Sequence, residues 1–286
     1  MMRAIRNAVK GRLYYFLVKE RLAPLVGIQQ RHLFHHYQES ARTGNLPGIE
    51  NTGFKVFSQF EEDGKLVYIF SIIGIKNKTF IEIGADDGIN SNCANLYFHF
   101  GFHGLFIDGN ATSVKRGRRF YARHPNPWYY QPKFVCAMVK KENINQLVEE
   151  AGYAGEVDLL SIDIDGNDYW VWEALEVASP RVVIIETHVE FGFHDIVVPY
   201  DPDYVFPGRH PVYHGASPVA MVKLARRKGY RLVGANAYGS NFIFVKEELC
   251  GEHLPEKSVE EVLVHPSAME ALISFDEVKD MEYIRG

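Results

Sequence analysis

Thr79-Phe80-Ile81-Glu82-Ile83-Gly84-Ala85-Asp86-Asp87-Gly88 decides the fold. Residues 79–84 are rich in β-branched and aromatic side chains and stop at a glycine, the pattern of a short buried strand entering a tight turn. The pattern returns downstream, alternating with helix-spaced segments. Residues 104–108 read as a second strand, 134–139 as a third, 157–163 as a fourth and 181–186 as a fifth. Helices are expected at 92–99 and, from Thr112 or Ser113 as cap, through Lys115, Arg116, Arg118 and Arg119. Two more are expected at 144–151, stopped by Gly152, and at 168–176. Near-continuous apolar strands alternating with helices indicate a parallel sheet covered on both faces. After a long loop, 187–216, Ser217 caps a helix with Pro218 at its first position. Residues 230–234 and 241–245 then form an antiparallel hairpin at one edge. The expected architecture is α/β: a Rossmann-like, mostly parallel seven-stranded sheet with an antiparallel edge strand.

The chain has 286 residues, with 31 Lys+Arg against 36 Asp+Glu and a formal net charge of -5; 47% of residues are hydrophobic and 23% charged. This composition excludes a disordered, collagen-like or disulfide-scaffold chain. The length suffices to bury a core without covalent staples. Charge is unevenly spread. Residues 1–21 hold six basic residues and one acid, whereas 251–286 hold nine acids and three bases. We divide the chain into a basic helical extension (1–55), a central α/β domain (56–250) and an acidic tail (251–286), helical or partly mobile. Ile5, Val9, Leu13, Phe16 and Leu17 recur at helical spacing beside Arg3, Arg6, Lys10 and Arg12. Such a segment suits peripheral contact with the inner face of an anionic membrane, or docking on the domain or on a second copy. His32, His35 and His36 share a helical face, but no carboxylate or cysteine lies nearby in sequence to complete a metal site, so they read as a solvated helix end.

Cys93, Cys136 and Cys250 are odd in number and lack C-x-x-C spacing, which argues for a reducing compartment. The N-terminus has no signal-peptide apolar region, and no run reaches the roughly 18 apolar residues of a membrane span. The sequence therefore reads as cytoplasmic. Its negative net charge disfavours nucleic acid as substrate, and the basic residues at 115–119 read as a solvated helix face.

In open parallel sheets, ligands bind beyond the carboxyl ends of the strands. Gly84 and Gly88 permit a tight turn and close approach of a ligand. Asp108, ending the second strand, is placed to accept hydrogen bonds from both hydroxyls of a ribose. The turn is G-A-D-D-G rather than G-x-G-x-x-G, and Asp86 and Asp87 would repel a pyrophosphate while suiting a cationic ligand. The expected cofactor is S-adenosylmethionine rather than NAD. The fourth strand ends in Ser161-Ile162-Asp163-Ile164-Asp165-Gly166-Asn167-Asp168. On extended chain Asp163 and Asp165 share a face, and like charges that close need a proton, a cation or a metal. Asp168 or Asn167 is the cap candidate for the next helix. The fifth strand ends in Glu186-Thr187-His188. Carboxylates from these two strand ends can hold Mg2+, and His188 can equally be a general base.

Several of these segments resemble FkbM-type S-adenosylmethionine-dependent methyltransferases. They are Ser58-Gln59-Phe60-Glu61-Glu62-Asp63-Gly64, F-I-E-I-G-A-D-D-G, D-L-L-S-I-D-I-D-G-N-D, Tyr213-His214-Gly215-Ala216-Ser217 and Lys228-Gly229-Tyr230. The resemblance spans residues 56–246. It implies the class I methyltransferase fold and O-methylation, often of sugars or natural products. It implies that Glu82, the Gly84-Ala85 turn and Asp87 surround the methionine end of the cofactor, with Asp108 on the ribose. The backbone near Cys136 and Ala137 would flank the adenine, and Gln59 with Glu62 or Asp63 would approach from the N-terminal side. Related sugar methyltransferases use a divalent metal, for which Asp163 and Glu186 are the nearest matches. The chain departs from the relatives' Glu-Tyr-Asn in having Glu186-Thr187-His188, which leaves the base and the substrate class open. The expectation is an O-methyltransferase acting on a sugar hydroxyl of a glycan, polysaccharide or glycosylated natural product. Catalysis would use His188, or Asp163 and Asp165 through Mg2+. His188, Tyr200, Tyr204, Tyr213 and His214 are available to stack on or hydrogen-bond the sugar; the plainer reading of those tyrosines is loop packing. The alternative is a binding or scaffold protein that keeps the fold without the activity.

Overall fold

A computed structural model describes residues 19–286. The amphipathic segment at 5–17 lies outside the described residues. The elements run α1 (Pro24–Thr43), α2 (Glu62–Ile73), β1 (Thr79–Ile83), α3 (Ala94–Phe100), β2 (His103–Asp108) and α4 (Ala111–Arg123). There follow β3 (Lys133–Cys136), α5 (Ile144–Ala151), β4 (Gly155–Ile162), α6 (Asp168–Ala174) and β5 (Ala178–Glu186). The chain continues through α7 (Pro218–Arg227), β6 (Tyr230–Ala235) and β7 (Asn241–Lys246) to the short helices α8 (Glu247–Cys250), α9 (Val259–Val262) and α10 (Pro266–Ala271).

Seven strands form one sheet in the order β3-β2-β1-β4-β5-β7-β6. Strands β1 to β5 pair in parallel, and β7 pairs antiparallel with both β5 and β6. The expected antiparallel hairpin of β6 and β7 thus stands at one edge, with the reversed strand β7 one position inside it. The physical reason is burial: Phe242, Ile243, Phe244 and Val245 of β7 are all excluded from solvent, so β7 takes neighbours on both sides, while β6 carries the half-exposed Arg231 at the border.

Successive residues of each central strand feed opposite cores. Ile81, Ile83, Leu105, Ile107, Leu160, Ile162, Val183 and Ile185 pack with Trp172 of α6 on one face. Phe80, Phe106, Leu159, Val182 and Ile184 pack with Phe70 of α2 and Phe98 of α3 on the other. Each such side chain contributes about 1.5–3 kcal/mol on burial. That is why the strands read as apolar runs without polar alternation.

Local capping follows the expected chemistry with one shift. Asn110, not Thr112 or Ser113, caps α4; its side chain accepts from the Thr112 and Ser113 amides. Ser217 caps α7 as expected, accepting from the Ala220 amide, and α5 ends at left-handed Gly152.

The described part of each flank packs against the body. Gln30 of α1 and Asn95 of α3 exchange buried amide hydrogen bonds of 3.0 and 2.7 Å. The acidic tail buries Leu254, Leu263 and Val278, and Ile284 pairs in both directions with Val197. The tail is therefore an ordered strap across the 187–216 loop, not a mobile appendage. Among the described residues, no helix is long and apolar enough to cross a membrane.

Candidate functional site

Strand register assembles the site. Asp108 pairs with Cys136, Ile107 with Ile83, Ile83 with Ile162, and Ile162 with Ile185. One step on, Cys136, Asp108, Gly84, Asp163 and Glu186 stand in a row across the carboxyl edge of five strands, about 4.8 Å apart from neighbour to neighbour. Gly84 sits at φ 80, and a Cβ there would overlap the Asp163 carbonyl. Only glycine lets β1 and β4 close up at this point.

The turn after β1 is left-handed at Gly84, Asp86 and Gly88. The Asp86 amide donates to Oδ2 of Asp108 at 2.8 Å, and the Asn110 amide donates to Oδ1 at 2.7 Å. A carboxylate has about four acceptor positions, so each oxygen keeps one for a further donor. Arg116 of α4 reaches back to this turn. It donates to the Asp87 carboxylate and, at 3.2 and 2.9 Å, to both oxygens of Asp86. The positive partner of the two aspartates thus comes from the chain, which corrects the expectation that they select a cationic ligand. Arg118 donates to the Phe134 carbonyl, so the 115–119 stretch is only in part a solvated face.

Three acids expected at the cofactor, Glu82, Glu62 and Asp63, hold protein donors in this structure. Glu82 is buried, accepting from the Ser91 hydroxyl at 2.5 Å and from the Asn92 and Cys93 amides at 3.2 and 3.3 Å; burial raises its pKa. Glu62 accepts from the Asn236 and Asn241 side chains at 3.1 and 3.0 Å and from the Phe60 amide at 3.0 Å. One oxygen of Asp63 gathers the Val56, Phe57 and Ser58 amides at 2.7, 2.6 and 2.9 Å, while its other oxygen is buried without a partner. Burial pushes the Asp63 carboxyl up to about 6. Gln59 is exposed, and its carbonyl accepts from Lys55. Ala85 is buried, with its amide on the Ile107 carbonyl at 3.2 Å.

The expected acidic group does assemble. Carboxylate oxygens of Asp163, Asp165 and Glu186 lie within 4.8 Å of one another. Asp165 is held at φ 55, and Asp168 fixes the turn by accepting from the Ile164 and Gly166 amides at 2.8 and 2.9 Å. Burial first, then repulsion from Asp168 and Asp165, raises the Asp163 pKa. Burial and then Asp163 raise that of Glu186 further. The charges felt most strongly here are other carboxylates, the opposite of the Arg116-paired turn.

The 187–216 loop covers this group. His188 Nε2 donates to the Val212 carbonyl at 2.7 Å, and Nδ1 lies 3.3 Å from a Glu190 carboxylate oxygen. Burial depresses its pKa to about 4. His188 thus stands at the site with Nε2 committed to Val212 and only Nδ1, which faces Glu190, left as an acceptor. His214 lies ring against ring with it, at 4.1 Å, and is likewise depressed to about 4 by burial. It bonds the Pro211 backbone and feels Glu190 and Asp165. Tyr204 packs over Gly166 and Gly208. Its buried hydroxyl has no partner and, through burial and the nearby Asp165, Asp168 and Glu186, is pushed up to about 12.

The other two tyrosines point elsewhere. The Tyr200 hydroxyl donates to Glu142 at 2.5 Å, with the Lys141 ammonium 4.1 Å from its ring centroid. The Tyr213 hydroxyl donates to the Glu282 carbonyl at 2.5 Å, and its ring meets Tyr283. Both anchor the loop rather than line the site, so they are withdrawn as sugar contacts. The sequence reading missed Glu190, the long-range role of Arg116, and Met138, an exposed side chain lying over Gly109 beside Cys136 and Ala137.

No family model matches the chain, and no curated protein matches it. Solved structures do. One is an O-methyltransferase family protein from Burkholderia thailandensis, at 12% identity over 77% of this chain and 70% of that one, TM-score 0.37. Another is an S-adenosylmethionine-dependent methyltransferase from Clostridium acetobutylicum, at 10% identity over 75% and 98%, TM-score 0.40. A third is the O-methyltransferase from Bacillus cereus, solved in complex with SAH, at 15% identity over 74% and 88%, TM-score 0.41. Likenesses this distant carry no argument about activity. The fold class rests on the strand order: a mostly parallel seven-stranded sheet with its reversed strand between β5 and β6 is the Rossmann-like class I methyltransferase fold.

Proposed function

We propose that the chain is an S-adenosylmethionine-dependent O-methyltransferase whose acceptor is a sugar hydroxyl in a glycan, polysaccharide or glycosylated natural product. The observation that carries this reading is the row Asp108, Gly84, Asp163 and Glu186 at the carboxyl edge of the sheet. The residues present suit the cofactor. Asp108 keeps acceptor capacity for a ribose, the Gly84-Ala85 turn offers bare backbone, and Ala137 and Met138 give an apolar neighbour for a purine. S-adenosylmethionine supplies an electrophilic methyl group on a sulfonium. The chain's part is to hold the acceptor oxygen in line at about 3 Å, to exclude water and to receive the hydroxyl proton.

Three clustered carboxylates, two of them partly buried and Asp165 exposed, also suit a hard divalent cation such as Mg2+. Asp163, Asp165 and Glu186 would hold it, and a cation there makes a sugar hydroxyl more acidic. Tyr204 closes the mouth of the acidic group. We assign the proton to His214. One of its ring nitrogens serves the Pro211 backbone, and in the neutral ring the other is an acceptor. His188, tied to Val212 and Glu190, positions that ring. His214→Ala should cost turnover about 10²-fold or more, and His188→Asn less. The sugar class is supported by the sequence resemblance and by the polar and aromatic lid of His214 and Tyr204.

Calorimetric titration with S-adenosylhomocysteine, on wild type and Asp108→Ala, tests the cofactor. Transfer of labelled methyl to a panel of sugars, with and without magnesium, tests the acceptor. Wild type should bind and Asp108→Ala should bind at least about tenfold more weakly. Absence of binding at millimolar ligand would exclude the enzyme reading in favour of a scaffold. Binding without transfer to any saccharide would exclude the sugar.

A further inference from the structure

Three aromatic side chains stand at the amino end of the sheet, away from the site. Trp128, Tyr129 and Tyr130, in the loop between α4 and β3, are 39%, 79% and 46% exposed. The loop is built to display them. Buried Asn126 donates from its side chain to the Tyr97 and Phe102 carbonyls at 3.1 and 3.4 Å and accepts from the Trp128 and Tyr130 amides, both at 3.1 Å. The Tyr97 hydroxyl donates to the Tyr130 carbonyl at 2.6 Å. Tyr129 is held at φ 58, a left-handed conformation unfavourable for a bulky residue. The Lys78 ammonium lies 5.6 Å from the Trp128 ring centroid, and Lys133 lies 5.8 Å from that of Tyr153.

A second apolar patch adjoins this one. Leu25 and Ile28 of α1 are 61% and 47% exposed and, with exposed His32 and His35, make one outward stripe at helical spacing, while Gly27, Gln30 and Tyr37 face inward. Phe34 of the same helix meets Phe100 at 5.8 Å, and the next residue, Gly101, lies under the Trp128 ring.

We propose that this face, the Trp128-Tyr129-Tyr130 loop with the outer stripe of α1, docks on the surface of an anionic lipid bilayer. Tryptophan and tyrosine are the side chains whose apolar body and polar tip match the boundary between hydrocarbon and water. Charge complementarity selects the lipid. Lys78 accompanies the Trp128 ring, and in sequence the six basic residues of 1–21 precede α1. Each basic side chain near an anionic leaflet adds to the attraction. A bilayer uses the rings and the charges together, whereas a second copy of the chain would carry the same charge against itself. The carboxyl edge of the sheet would then face away from the lipid.

The test uses the full chain with vesicles of phosphatidylcholine, alone or mixed with phosphatidylglycerol. Trp128 is the exposed tryptophan; Trp172 is buried and Trp170 half-buried. The chain should sediment with the anionic vesicles, with a blue shift of tryptophan emission and quenching by brominated lipid. The variant Trp128→Ser/Tyr129→Ser/Tyr130→Ser, checked for unchanged circular dichroism and thermal midpoint, should bind about tenfold or more weakly. Undiminished vesicle binding by that variant would assign contact to the basic head alone and overturn the proposal. So would a wild type that ignores vesicles but self-associates, or binds a glycan, through these rings.

Discussion

Two turns at the carboxyl edge of the same sheet carry nearly the same sequence and behave in opposite ways. After β1, Asp86 and Asp87 precede Gly88; after β4, Asp163 and Asp165 precede Gly166. Both turns hold an aspartate in left-handed backbone, Asp86 at φ 46 and Asp165 at φ 55. The first pair shares the Arg116 guanidinium, which offsets one of its two charges. The second is joined by Glu186 and surrounded by further carboxylates. Acids paired with a cation hold a loop in shape. Acids left facing one another store repulsion that a bound cation or a retained proton must relieve, and stored repulsion of this kind marks a functional site.

The largest effect should come from breaking the second turn. Glu186→Gln and Asp163→Asn should each lower methyl transfer about 10²–10⁴-fold. In cation-free buffer they should leave the thermal midpoint unchanged or raised, because repulsion is relieved. Turnover and scanning calorimetry on the same samples check this. Losses of activity and stability together would make the second turn structural like the first.

Asp63 sharpens the contrast from a third side: it is buried, and one of its oxygens holds the knot at 56–58 by accepting three backbone amides. Its folded pKa, about 6, exceeds the unfolded value near 3.9. The folded state therefore binds the proton more tightly, so this contribution is full below about pH 4 and is lost as pH rises through 6. Relative to Asp63→Asn, wild type should lose roughly 2 kcal/mol between about pH 4 and pH 7. Urea denaturation at both values measures it; a pH-independent difference would contradict it.

Breaking the first turn should have a smaller effect. Arg116→Met leaves the nearly buried Asp87 carboxylate without its cation. Because Arg116 is itself about half exposed, the loss should be about 1–2 kcal/mol, below that of a fully buried pair. Binding of S-adenosylhomocysteine should weaken as the turn loosens. A variant as stable as wild type would show that water neutralises Asp86 and Asp87 unaided.

Much of this contrast was legible in the sequence, for a physical reason. Parallel strands that end in polar residues place those residues side by side, and Ile162 pairing with Ile185 brings Asp163 beside Glu186 without any knowledge of side-chain directions. Contacts between distant segments were not legible. Arg116 acts on a turn thirty residues earlier, and Tyr200 and Tyr213 are taken by Glu142 and Glu282. A loop tyrosine in a sequence does not declare which partner it will find. The protein donors that Glu82, Glu62 and Asp63 hold were not legible either, because a buried acid bracing backbone amides and an acid awaiting a ligand look alike until donors are assigned. The strap of 251–286 was hidden by its acidic composition, which masks the apolar anchors Leu254, Leu263 and Val278.

The central claim is that Asp163, Asp165 and Glu186 form a cation site whereas Asp86 and Asp87 do not. Thermal unfolding against increasing magnesium or manganese, in wild type, Glu186→Gln and Arg116→Met, tests it most directly. The account predicts a midpoint that rises with cation concentration in wild type and Arg116→Met and stays flat in Glu186→Gln. A flat wild type, or a shift that survives in Glu186→Gln, would contradict it.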